Sequence, residues 1–489
     1  MIILIMYLWG DYMAKNSNKT LTFGKAMIYG LGIFGIQFFI GYINSYQSQF
    51  YTSMLGADLM ICAIIILVAK LISSFADPVI GNIIDRSHFK SGKMKPFVTM
   101  SALPLAIFTT LIFVKIDFSS NALMYTYITI TTIIWNVAMS FADIPSQGML
   151  ALITPSADER NTAAGISNFM KTIGLAAPGL VIPIICVLVK SENGAIDEKA
   201  YLVTALFIDV IGLLCYLALI KGSKEVVKSE PSKMSFKAMF SEMRNNRNLM
   251  MVFLLLMLGF GRNMGMSVGV QAASVLFDKI EFAGITLSGE NLPIILGIGS
   301  TVGSVVSIVT VPMINAKLGV KKTYFIFGIY GFVVSTISYV LYLVGGPNGI
   351  FRSLIAAVLY QFFIGFMFGT HGFTPMVMLA ETVDYQEMKT GKRTEGTQYA
   401  VFSLGVKVSN AFSVAVAIFL VGLCGYQAKD AYAYGLAHPV VPNTVLAAQW
   451  LIPGICTLLS CIPVYFYTIN KKEQKEIEAF MKNKVENEQ

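Results

Sequence analysis

Asp77 and Asp143 stand inside long apolar runs, and each has a hydroxyl one helical turn before it. Ser73 precedes Asp77 by four residues and Ser140 precedes Asp143 by three, so on helices each pair shares one face. A carboxylate with hydroxyls on two neighbouring helices can give oxygens to a small hard cation, or hold a proton whose release depends on a second ligand. A packing role is the alternative, with Asp77 salt-bridged to a lysine; Lys70 shares its face. Pro78 follows Asp77 directly and Pro145 comes two residues after Asp143, which gives the two carboxylates matching local settings.

The other ionisable residues within apolar runs are Lys171, Asp209, Arg262, His371 and Lys407. A charge at bilayer depth costs at least about 2.5 kcal/mol by insertion scales, so such residues face a cavity or a partner. Four permanent cations (Lys70, Lys171, Arg262, Lys407) stand against three carboxylates (Asp77, Asp143, Asp209). An anionic group on a ligand would balance that sum; Lys171 or Lys70 snorkelling to a surface is the alternative. His371 lies in GTHGFTP, whose glycines permit a break, although a buried histidine that is simply hydrogen-bonded is the plainer reading. The first apolar run carries Gln37, Asn44, Gln47 and Gln49 with Tyr42 and Tyr46 interleaved. Amides and aromatic rings suit a hydroxyl-rich ligand, and they equally suit hydrogen bonds between helices.

These residues need membrane helices to position them. Of 489 residues 55% are hydrophobic and only 13% charged, with a mean hydropathy of +0.66. A soluble domain carries roughly a quarter charged residues, so a cytosolic enzyme or a secreted globular protein is excluded. A spanning helix needs roughly 20 mostly apolar residues. About twelve such segments are expected, near 26–51, 58–84, 96–116, 121–152, 162–190, 200–220, 249–277, 291–315, 323–345, 351–383, 396–424 and 442–469.

The polar stretch 221–248 divides the chain into two six-helix halves, 26–220 and 249–469, with an N-terminal segment 1–25 and a tail 470–489. Residues 1–12 read as a possible extension, since Met13 is as good a start as Met1. Lysines and arginines crowd the connections after helices 2, 6, 8 and 10 and the tail, which by the positive-inside rule puts both termini in the cytoplasm of a bacterial-type inner membrane. The net charge of +8 needs no nucleic-acid partner, because the basic residues sit between apolar runs. Six cysteines form no CxxC and no cluster with histidine. No nucleophile with a base, P-loop or HExxH is present, so no enzyme activity, cofactor or resident metal is expected.

The halves are weakly similar. DRSHFKSGKMKP follows the second helix of the first half and NAKLGVKKT that of the second; TPSADERN and VDYQEMKTGKRTEG follow the fourth helices. Duplicated six-helix units imply a transporter with its site between them near the midplane.

FADPVIGNIIDRSHFKSGKMKP at 75–96 resembles the signature of the glycoside-pentoside-hexuronide:cation symporters, the melibiose-permease branch of the major facilitator superfamily. YGLGIFGIQFFIGYINSYQSQFYTSMLG, SFADIPSQGMLALITPSADER and LAETVDYQEMKTGKRTEGTQYAVFSLGVKVSNAF agree with it in order and spacing. The resemblance implies an all-α fold of twelve helices in two pseudo-symmetric halves. It implies that Asp77 and Ser140 belong to a cation site, that Asp143 is shared between cation and sugar, and that Lys407 links the two. Arg262 resembles an arginine many members carry in helix 7.

The departures are Ser73 in place of a second acidic cation ligand, Ala76 for an asparagine, Gln37 for a sugar-binding aspartate, Gln147 for a tryptophan and Asn168 for an arginine. With one negative ligand missing, a proton is favoured over sodium as coupling ion, with transient Na+ at Asp77 and Asp143 as the alternative. Melibiose is not the expected substrate. A hexuronide or other anionic glycoside and a neutral pentoside or oligosaccharide both remain open.

The expected function is cation-coupled symport of a glycoside by a monomer. Gln37, Asn44, Asp143, Gln147, Asn168, Arg262, His371 and Lys407 are the expected sugar contacts. Asp85, Arg86, Arg160 and Asp384 are candidates for a cytoplasmic gate. A lysolipid or other amphiphile carrier of the same fold and a non-transporting membrane receptor are the competing classes.

Overall fold

The computed structural model describes residues 21–87, 89, 92–154, 157–191, 196–222, 236–282, 285–346, 349–391, 394–428 and 430–488. Residues 1–20, with the extension 1–12 and Met13, and residues 223–235 of the central connection lie outside the described residues.

Six long helices build the first half: α1 (Phe23–Ser53), α2 (Leu59–Arg86), α3 (Lys95–Ile112), α4 (Asn121–Leu152), α5 (Ala157–Leu188) and α6 (Glu198–Gly222). Their starts follow ordinary capping chemistry: Asp58 accepts from the backbone N–H of Met60 and Ile61, and Ser120 from that of Leu123, filling donors that a helix start leaves unpaired. A short helix α7 (Phe236–Asn245) leads into the second half.

There the seventh span is broken into α8 (Arg247–Leu258), a 3₁₀ turn over Phe260–Asn263 and α9 (Met264–Leu276), bent by 46°. Gly259 caps α8 at the break. α10 (Pro293–Leu318), α11 (Val320–Gly345), α12 (Leu354–Thr390) and α13 (Glu395–Leu423) follow. After the short helix α14 (Ala431–Ala437), the last span is assembled from α15 (Val440–Leu446), a π-helical turn over Ala447–Leu451, α16 (Ile452–Leu459) and α17 (Cys461–Phe466). Among the described residues, eleven helices are long and apolar enough to cross a membrane, twelve with the bent pair counted as one span. The chain is a multi-pass membrane protein.

One small departure from an all-helical chain is a hairpin between α9 and α10, β1 (Lys279–Phe282) with β2 (Ile285–Ser288), antiparallel with Lys279 opposite Ser288. It is too short to show as alternation in sequence.

An even number of spans puts the first and last helix ends on one face, here called the terminal face; the opposite one is the distal face. Each half packs its own core. In the first, Tyr42, Phe113 and Tyr201 stack with ring centroids 4.1 Å (Tyr42 to Phe113) and 6.0 Å (Phe113 to Tyr201) apart, and the Tyr42 hydroxyl donates to the Tyr201 carbonyl at 2.7 Å. Gln47 donates to the Tyr51 hydroxyl at 2.9 Å and to Thr132 at 3.1 Å. Tyr42 and Gln47 of α1 thus bond to neighbouring helices, the alternative foreseen for them.

Close helix approach rests on small residues, as lipid supplies no hydrophobic drive between helices. A Cβ on Gly41 would lie 2.4 Å from the Leu175 carbonyl oxygen, so α1 and α5 touch backbone to backbone.

The tail is an ordered helix, α18 (Lys471–Glu488), docked on the terminal end of the second half. Glu381 of α12 accepts from Gln474 Nε2 at 2.6 Å and from the Tyr467 hydroxyl at 3.3 Å. Glu381→Ala is expected to lower the thermal midpoint in detergent, as the Gln474 amide loses its acceptor at about 1–3 kcal/mol while the Tyr467 hydroxyl keeps the Met378 carbonyl at 2.9 Å. Glu381→Gln, which keeps one acceptor, should recover most of it. An unchanged midpoint for Glu381→Ala would show that α18 is not held there.

Candidate functional site at the seam between the halves

Positions 59, 63, 66, 70, 73 and 77 of α2 follow the 4-3-4-3-4 spacing of a single helical face. Leu59, Ala63 and Ile66 are buried in the apolar cluster of the second half, with residues such as Val268 of α9 and Val421 of α13. The same face then turns polar as Lys70, Ser73 and Asp77. α2 therefore meets the second half through a dry seal near the distal face and a polar strip nearer the terminal face.

Asp77 Oδ2 forms an ion pair with Lys407 Nζ of α13, their side chains 17% and 26% exposed. Asp77 Oδ1 is buried without a hydrogen-bond partner among the described residues. The pair spans the two halves, which neither spacing nor periodicity could reveal for residues 330 positions apart. A lysine does pair with Asp77, and it is Lys407 rather than the helix neighbour Lys70.

Ser73 and Ser140 share a hydrogen bond, hydroxyl to hydroxyl at 2.8 Å, tying α2 to α4. One turn on along α4, Gln147 Nε2 donates to Asp143 Oδ2 at 2.8 Å. Lys70 Nζ donates to Asn44 Oδ1 of α1 at 3.1 Å. Gln37 is buried, its Cβ 3.0 Å from where a Cβ on Gly174 of α5 would stand. Asn168 and Lys171 are exposed on α5. No hydrogen bond among the described residues joins Asp143 to the Asp77–Lys407 pair.

Arg262 and His371 come together elsewhere. Arg262 sits in the 3₁₀ break of the seventh span and donates through Nη1 to the His371 carbonyl of α12. The His371 ring is buried, 4.3 Å between centroids from Tyr324, whose hydroxyl meets Ser460 at 2.8 Å. His371 Nδ1 lies 3.3 Å from the Met367 carbonyl, and Nε2 has no partner among the described residues. Arg262, Tyr324, His371 and Ser460 line a small cavity inside the second half. Asp209 is committed to the first half, where Oδ2 accepts from the Thr110 hydroxyl.

Of the gate candidates, the side chains of Asp85 and Arg160 lie outside the described residues. Arg86 is exposed at the end of α2 and Asp384 is half-buried on α12, both toward the terminal face. Glu159, in the first turn of α5, accepts from the Leu21 N–H at 3.0 Å and from Thr154 at 2.5 Å and so anchors the start of α1.

On the distal face the halves meet through polar contacts that sequence reasoning missed. Gln271 Nε2 of α9 donates to the Ser48 hydroxyl at 3.2 Å, the Tyr426 hydroxyl to Gln49 Oε1 at 3.5 Å, and the Ile196 N–H to Glu290 Oε2 at 3.3 Å. The available signal was an amide inside the apolar stretch MSVGVQAASVL, the same kind of oddity that singled out Gln37.

Residues 28–471 match the family model described as MFS/sugar transport protein. The chain is 27% identical over 453 residues to the isoprimeverose transporter of Lactiplantibacillus pentosus, covering 91% of this chain and 89% of that one. It is 25% identical over 478 residues to the glucuronide carrier protein homolog of Escherichia coli K12, covering 96% and 97%. Among solved structures, the nucleoside transporter NupG superposes with a TM-score of 0.60 at 13% identity, over 92% of this chain and all of that one. A six-plus-six bundle whose halves are joined by an ion pair at their seam, matched by that family model over most of its length, belongs to the MFS/sugar transport protein family.

Proposed function

We propose that this protein is a proton-coupled glycoside symporter that works by alternating access across a bacterial cytoplasmic membrane. The observation that carries the reading is the Asp77–Lys407 ion pair between the halves. Two halves that rock apart must break any ion pair that joins them. Protonation of Asp77, or arrival of a cation there, removes the attraction and frees Lys407 for a ligand. Coupling then follows, because the bare carboxylate holds the seam shut and the loaded one does not.

The donor set favours the proton. Among the described residues, the Asp77 carboxylate is paired with Lys407, and the hydroxyls of Ser73, on its helical face, and Ser140 bond each other. Sodium requires several oxygens with compensating charge, whereas a proton requires one carboxylate. Gln147 with Asp143, and Asn168 on α5, are the polar groups offered to a sugar on the first half. Curated relatives named as an isoprimeverose transporter and a glucuronide carrier homolog support a glycoside as cargo. The terminal face carries Lys317, Lys321, Lys322 and Lys471, which supports a cytoplasmic location for it and for both termini. A pathway between two halves of one chain needs no second subunit, and a monomeric carrier is part of the reading.

The test uses purified protein in liposomes with a trapped pH dye and no sodium. Adding isoprimeverose or a methyl glucuronide outside should acidify the lumen as sugar and proton enter together. Sugar entry that needs sodium and leaves the dye silent would make sodium the coupling ion; no entry of any glycoside would sink the symport reading.

A further inference from the structure

On the face of α2 that meets the second half, Lys70 is the first polar residue past the apolar seal of Leu59, Ala63 and Ile66. Its Nζ donates to Asn44 Oδ1 at 3.1 Å, and that neutral amide is its one acceptor among the described residues. The next carboxylate on the stripe, Asp77, lies seven residues on, about 10 Å along the axis at 1.5 Å per residue, and is engaged by Lys407. Asn44 in turn stands one turn from Ser48, whose hydroxyl meets Gln271 of the second half. Lys70 and Asn44 therefore sit where the closed distal end gives way to the polar strip.

A half-buried ammonium held by an amide is poorly compensated, since a charge drawn out of water needs an opposite charge or a full set of hydrogen bonds. With Oδ1 turned to Lys70, the Asn44 amide keeps both Nδ2 hydrogens, and no hydrogen bond among the described residues uses them. An ammonium and an amide N–H₂ side by side are two donors suited to one anionic oxygen group.

We propose that Lys70 and Asn44 form an anion subsite on the inner side of the distal seal, which holds the acid group, carboxylate or sulfonate, of the transported glycoside. Asp77 and Lys407 then serve the coupling ion, and charge selectivity resides two turns away from it. The proposal rests on the symport reading above and adds the residues that choose an acidic over a neutral sugar.

The test is counterflow, which needs no ion gradient, in liposomes carrying wild type, Lys70→Gln, Lys70→Arg or Asn44→Asp. The probes are a methyl glucuronide and the matching methyl glucoside, which differ only in a carboxylate against a hydroxymethyl group. Wild type should prefer the glucuronide. Lys70→Gln should raise its KM about 30-fold, or about 2 kcal/mol at 1.4 kcal/mol per decade, and leave the glucoside within about threefold. Lys70→Arg should keep the preference. Asn44→Asp, which supplies Lys70 with an internal carboxylate, should lose it even if Lys70→Gln fails to reach the membrane. An unchanged glucuronide-to-glucoside ratio in Lys70→Gln and Asn44→Asp overturns the subsite and leaves symport standing. If wild type exchanges only neutral sugar, and chloride accelerates that exchange in wild type but not in Lys70→Gln, the anion is inorganic and the substrate's acid group is ruled out. Wild type exchanging neither of these sugars nor isoprimeverose overturns the symport reading itself.

Discussion

Asp77→Asn should reduce gradient-driven glycoside accumulation by about 100-fold or more while counterflow persists. The amide keeps the size and polarity of the carboxylate but carries no charge and takes up no proton in the pH range of the cell, so Lys407 is free at all times and its release is no longer tied to a proton. The ion pair is also lost. Removing one partner of a fully buried pair costs about 3–5 kcal/mol, and less here because the Asp77 and Lys407 side chains are 17% and 26% exposed. The variant should therefore fold, with a thermal midpoint below wild type. Lys407→Gln leaves the carboxylate without its cation, and the double variant Asp77→Asn with Lys407→Gln should be more stable than additivity predicts, because it leaves neither charge unpaired. Uphill accumulation by Asp77→Asn equal to wild type would remove Asp77 from coupling.

Gly303→Val should yield almost no folded protein. α10 and α12 lie so close that a Cβ on Gly303 would come 2.0 Å from the Phe362 carbonyl oxygen, with the mirror situation at Gly365, 2.1 Å from that of Ser300. The clashing atoms are backbone, which cannot rotate away, so the helices must part along their whole contact. Ser304 Oγ donates to the Gly365 carbonyl at 2.9 Å, and Ser307 meets Thr370 at 2.8 Å, and these bonds would go as well. Overpacking of a core side chain costs about 1–3 kcal/mol; a clash with rigid backbone lies at or beyond that upper end. Fluorescence-detected size exclusion after mild solubilisation should show a void-volume peak for Gly303→Val, and loss of the monodisperse peak already for Gly303→Ala, whose Cβ is the clashing atom. A monodisperse valine variant of wild-type stability would contradict the close approach.

The spans were legible because lipid makes apolar length the dominant constraint, and the two carboxylates because a charge within such a run is expensive. Their partners were not legible. Lys407 pairs with Asp77 from the other half of the chain, and the spacing alone favoured the nearer Lys70; only the family resemblance linked Lys407 to the site. Arg262 and His371 each stood out as oddities, but that they bind one another inside the second half depends on the 3₁₀ break after Gly259, which directs Arg262 toward α12. The seal at Ser48 and Gln271 escaped for a related reason: neutral amides cost little in a bundle, so their sequence signal is faint even where they join the two halves.

The most direct test of coupled transport is accumulation of a radiolabelled glycoside in liposomes of purified protein under an imposed pH gradient, followed until the internal concentration is steady. The account predicts internal sugar well above the external level, collapse on adding a protonophore, and no change when sodium replaces potassium. Internal sugar that rises only to the external level, with or without a gradient, would make the protein a facilitator and contradict coupling through Asp77.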